Sequence, residues 1–99
     1  MWSIDIKSVK VAGGSALGVR IGSPEKAGII VLIGEKGIIV CRNFDTAALE
    51  QRGVAAARVQ GIKSIEEVLT APIESCTAQA KALGVTEGMK GADALSRLL

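Results

Sequence analysis

The sequence predicts an α+β fold: an N-terminal antiparallel-rich β-sheet of four strands, a fifth strand after a short helix, then C-terminal helices on one face. Two observations carry that prediction. Up to about residue 43 the apolar residues either alternate or run unbroken, as strands require, and from residue 44 helical spacing with capping residues takes over. The 99 residues contain no internal repeat, linker or low-complexity segment, so 1–99 reads as a single domain, with 1–43 strand-rich and oligomerising and 44–99 mixed then helical.

In the first strand Trp2, Ile4 and Ile6 alternate with Ser3, Asp5 and Lys7, after which the apolar phase shifts to Val9 and Val11. That slip predicts a bulge near Lys7-Ser8. Gly13-Gly14-Ser15 is a turn, and Leu17, Val19 and Ile21 form a second half-apolar strand that ends at Gly22-Ser23-Pro24, because proline donates nothing to a ladder. Ile29 to Ile33 and Ile38 to Cys41 are apolar at every position and belong at the centre of the sheet. Between them Gly34-Glu35-Lys36-Gly37 is a tight hairpin, which makes the pair antiparallel.

Asp45 or Thr46 caps a short helix that runs to Arg52 and closes at Gly53. Val54 to Val59 returns as an alanine-rich strand, and Ser64 with Glu67 forms a capping box over Ile65, Val68 and Leu69. Pro72 restarts a helix whose stripe is Ile73, Cys76, Thr77, Ala80 and Leu83, ending at Gly84. A last helix turns Ala92, Leu95 and Leu98 or Leu99 inward.

Composition narrows the chemistry. Hydrophobic residues make up 48% of the chain and the mean hydropathy is +0.39, whereas a domain of this size buries only about 60 to 65% of its unfolded surface. The excess calls for other copies of the chain, a tetramer or dimer. Histidine is absent, which removes Ser-His-Asp and Cys-His catalysis and most zinc sites within one chain. No metal and no cofactor is implied. The 12 Lys and Arg residues are scattered, the net charge is +2, and there is one Phe, one Trp and no Tyr, so neither a phosphate footprint nor a stacking platform for nucleic acid is present. No apolar run approaches the roughly 20 residues that cross a bilayer, and the start lacks a signal peptide's pattern. A cytoplasmic protein with two free thiols is expected.

From Gly37 to Leu95 the chain resembles the YunC-like family, small bacterial and archaeal proteins classed as a domain of unknown function. The likeness rests on Gly37-Ile38-Ile39-Val40-Cys41 with Asp45, on Arg52-Gly53-Val54-Ala55-Ala56-Ala57-Arg58-Val59-Gln60-Gly61-Ile62-Lys63-Ser64-Ile65-Glu66-Glu67-Val68-Leu69, and on Ala71-Pro72-Ile73-Glu74-Ser75-Cys76-Thr77. Gly84-Val85, Gly88-Met89-Lys90-Gly91 and Ala94-Leu95 continue it in one register. The resemblance implies an N-terminal β-rich region used for tetramerisation and no established reaction. This chain departs from the family pattern at Arg42, where glycine is usual, and at Cys76, where a small apolar residue is usual.

Four residues are candidates for chemistry. Cys41 stands where a strand should end and a helix begin, so the helix dipole and Arg42 would stabilise a thiolate; equally, it can be a small buried hydrophobe finishing an apolar strand. Without histidine a nucleophilic Cys41 would need Asp45, Glu74 or a neighbouring subunit to move protons. Asp45 is either that catalytic partner or a helix cap. Arg58, on a strand face, wants a carboxylate, Asp45 or Glu74, or else a bound small anion. Glu74 fits the first turn of a helix, or with Arg58 of another chain a ligand site between subunits. Two functions follow: an oligomeric binding or structural module, and a thiol enzyme or thiol sensor built on Cys41 with Asp45 and Arg58.

Overall fold

The computed structural model describes residues 1–99. In chain order it contains β1 (Ser3–Val11), β2 (Gly14–Gly22), β3 (Ala27–Ile33), β4 (Ile38–Val40), α1 (Thr46–Gln51), β5 (Ala56–Arg58), α2 (Ile65–Thr70), β6 (Ser75–Cys76), α3 (Ala78–Ala82) and α4 (Gly91–Arg97). The strands make one sheet in sequence order, β1-β2-β3-β4-β5-β6. Every neighbouring pair is antiparallel except β4 and β5, which are parallel and joined through α1. The fold is α+β, with strands mostly in the first half and helices in the second.

The two faces of the sheet meet different surroundings. On the inner face Val9, Ile30, Leu32, Ile39 and Ala57 pack against Ile65 and Val68 of α2 and against Ala94, Leu95 and Leu98 at the end of the chain. The helices can approach closely because α4 begins with glycine: a Cβ on Gly91 would lie 1.8 Å from the Val68 carbonyl oxygen of α2. On the outer face the register lines up Ile4, Ile21 and Ile29, then Ile6, Val19 and Val31, then Leu17 and Ile33. Nothing in the chain covers its β1–β3 half: Ile4 is 63% exposed, Ile6 62%, Leu17 43%, Ile33 39% and Ile29 36%.

That arrangement corrects the bulge expected at Lys7-Ser8. The pairing of β1 with β2 is unbroken from Ser3 to Val11; the shift in apolar phase marks a change of which face is apolar. Ile4 and Ile6 project onto the outer face, and Val9 and Val11 turn inward onto the core. The sheet's irregularity lies at Ile21/Gly22 against β3.

The helix expected from Pro72 is a second correction. Residues 72–77 are extended: Pro72 bridges to Lys90, Ser75 and Cys76 form a sixth strand on β5, and the helix starts only at Ala78. The edge of β5 decides this, because Glu74 N–H donates to Arg58 O (2.8 Å) and Thr77 N–H to Ala56 O (2.9 Å). Thr77 then caps α3, its hydroxyl accepting from Ala80 N–H (3.3 Å) and Ala56 N–H (3.0 Å) and donating to Val54 O (2.7 Å). Tertiary pairing of these amides outweighs a helical apolar period only about three turns long.

A cavity at the carboxyl ends of the parallel strands

Parallel pairing brings the carboxyl ends of β4 and β5 side by side, the position where open sheets containing parallel strands receive ligands. The chain leaving β4 is held back on β3: Cys41 N–H donates to Ile30 O (3.1 Å), Ile30 N–H donates to the Cys41 Sγ (3.5 Å), and the Asn43 side-chain amide donates to Gly28 O. The chain leaving β5 makes one more ladder bond, Val59 N–H to Val40 O (3.0 Å), and turns at Gly61, whose φ of +71° suits glycine. Between these segments is a cavity of about 290 Å³, lined by Ala27–Ile30 at the start of β3, by Cys41, Arg42 and Asn43, and by Gly61, Ile62 and Lys63. Cys41 is 6% exposed and forms part of its wall.

Arg42 and Lys63 are the cavity's charged residues, and no carboxylate lines it. The ion pairs of the chain are Lys7 with Glu66 and Arg58 with Glu74, so neither cation has an acidic partner. A larger hollow of about 630 Å³ lies between the β1–β2 ribbon and α2. Lys63 borders this hollow as well, but the hollow's other cations are engaged, Lys7 by Glu66 and Arg20 by the backbone oxygens of Lys63 (2.9 Å) and Ser23 (2.8 Å), and the carboxylates Asp5 and Glu66 stand in its lining.

The other candidates lie away from the thiol. Asp45 caps α1, its carboxylate accepting from Ala47 N–H at 2.9 Å. The helix begins five residues after Cys41, and Asp45 occupies its amino end. Arg58 is opposite Val40 in the register and so shares the outer face, whereas Cys41 follows Val40 onto the inner side. Its guanidinium is taken by Glu74 of the same chain, with Nε and Nη2 at 2.7 and 2.6 Å from Oε1, and by Phe44 O at 3.1 Å. Arg58 and Glu74 thus come together, and Arg58 steadies the Cys41–Asp45 loop from behind. Cys76 Sγ lies 3.9 Å from Val85 O, and burial pushes its thiol above the ordinary value.

Gly61, Ile62 and Lys63 were not singled out from the sequence as site residues, nor were Gly28 and Asn43. A signal for the first three exists: an apolar strand, a helix and a second strand in succession form a β-α-β crossover, and both loops leaving such strands face one crevice.

The comparisons agree with this architecture. Residues 40–98 match the family described as a domain of unknown function, DUF1805. The chain is 30% identical to the uncharacterized protein YunC of Bacillus subtilis (strain 168), across 97% of this chain and 98% of that one. Its fold is similar to the crystal structure of a protein of unknown function, TA1206, from Thermoplasma acidophilum, with a TM-score of 0.89 at 19% identity, covering 99% of this chain and 95% of the other. Taken with the apolar strand that ends at Cys41 and the shared crossover, these matches establish that the chain belongs to the YunC-like family, DUF1805.

Proposed function

We propose that the protein is a cytoplasmic binding module that works as a homo-oligomer, a tetramer or dimer, joined through the outer face of β1–β3. The observation that carries this is the row of exposed isoleucines and Leu17 on that face. From the fractional exposures of these five side chains the face offers on the order of 500 Å² of contiguous apolar surface, toward the upper end of the largest patch a monomer leaves in water and over half of one partner's share of a standard interface. The cavity beside Cys41 is the ligand site of each copy. Light scattering at micromolar concentration tests the assembly: a mass two or four times that of the 10.2 kDa chain is expected, and a monodisperse monomer would sink it.

A second reading, a thiol enzyme or sensor, is favoured by the cavity giving Cys41 a space on which to act. In it Cys41 is the nucleophile, while Asp45 and Arg58 hold the loop that carries it. Iodoacetamide alkylation, followed by peptide mass spectrometry, tests this: Cys41 should react in the folded protein, and reaction only after unfolding removes the reading.

A further inference from the structure

We propose that the cavity at the carboxyl ends of β4 and β5 takes a small organic anion, a carboxylate or phosphate ester with a short apolar body, whose charged group is read by Arg42 and Lys63. This rests on the reading of the cavity as the module's ligand site and names what it accepts. Three features converge on it. The lining carries two cations from separate loops and no acid, and neither cation is spent on an ion pair; a concave surface of one sign raises the local concentration of opposite charge. Lys63 is fixed by its own backbone, its N–H donating to the Glu67 carboxylate (3.2 Å) and its carbonyl accepting from Arg20 (2.9 Å), so its position at the rim is set by the fold. Ile30 and Ile62 supply an apolar wall, and about 290 Å³ matches the low end of small-molecule pockets. Arg58, the more obvious anion binder in the sequence, is closed off by Glu74 and Phe44.

Cys41 in the cavity wall provides a built-in reporter. Its alkylation by iodoacetate, an anion, is compared with that by neutral iodoacetamide, site by site because Cys76 is also a free thiol, and the rate ratio is referred to N-acetylcysteine at the same pH and low ionic strength. The iodoacetate preference should exceed that of the free thiol by about fivefold or more, fall as salt is added, and vanish in the Arg42→Glu/Lys63→Glu double variant. The milder Arg42→Met/Lys63→Met pair should abolish most of it, and circular dichroism checks that each variant folds. A preference equal to the free thiol's, or one untouched by both double variants, overturns the proposal while leaving Cys41 an accessible thiol. If neither reagent reaches Cys41 in the folded chain, the cavity is closed to ligands and both this proposal and the thiol reading fall.

Discussion

Replacing Ile6 by aspartate places a charge in the middle of the outer face while leaving the core untouched. Ile6 is 62% exposed in the isolated chain and sits opposite Val19 in the ladder. Folding stability should therefore move by no more than about 0.5 kcal/mol, as at other surface positions. Assembly is another matter. Burying a whole isoleucine contributes about 1.5 to 3 kcal/mol, so covering the exposed part gives about 1.5 kcal/mol per copy, and a twofold interface counts it twice. Two carboxylates forced out of water add at least about 1 kcal/mol more. The sum, about 4 kcal/mol, weakens the dimer about a thousandfold. Sedimentation equilibrium of wild type, Ile6→Asp and the exposed helical control Lys81→Asp should show the assembled mass, the monomer and the assembled mass in turn. A folded Ile6→Asp that keeps the wild-type mass would refute the reasoning.

Three further expectations concern the chain itself. Gly91→Ala drives a methyl group into the Val68 carbonyl, so α4 must shift from α2 at a cost of about 1 to 3 kcal/mol, read as a lower urea midpoint; an unchanged midpoint contradicts the close approach. Glu74→Ala leaves Arg58 half-buried without its carboxylate and should cost about 1 to 2 kcal/mol, with a double-mutant cycle through Arg58→Met recovering a coupling of about 1 kcal/mol. The hydrogen bond from Lys7 holds the Glu66 carboxyl below its ordinary 4.5. Because the folded value is depressed, this pair's contribution is present above pH 4.5 and is lost as pH falls through the folded value. Both groups are well exposed, so that contribution to stability is small. Carboxyl NMR should return Glu66 toward 4.5 in Lys7→Met, and no movement would deny the pairing.

The strands at the front of the chain were legible because their signals are local. The Gly34–Gly37 hairpin forms as expected, Gly34 N–H donating to Gly37 O at 2.8 Å, although neither glycine is left-handed and both instead make room for the Leu98 and Ala55 carbonyls, and Asp45 and Ser64 cap the helices that follow them. The capping box differs in detail, since the Glu67 carboxylate accepts from Lys63 N–H and the Ser64 hydroxyl instead of the Ser64 amide. β6 was not legible, because Ser75 and Cys76 are extended only through bonding to β5, some 17 to 19 residues away along the chain. Nor was the cavity: Lys63 reaches the neighbourhood of Cys41 through the parallel pairing of two three-residue strands, a long-range event that neither local pattern announces. Arg58 could be read as needing a partner, but choosing Glu74 over Asp45 required knowing that residues 72–77 are extended.

The claim on which the account turns is that sister copies cover the outer sheet face. Methyl-labelled isoleucines report on it directly, through the broadening caused by a soluble paramagnetic agent. The δ-methyl signals of Ile4, Ile6, Ile29 and Ile33 should be as protected as those of the buried Ile30 and Ile39. Broadening in proportion to the exposures of the isolated chain, greatest at Ile4 and Ile6, would contradict it.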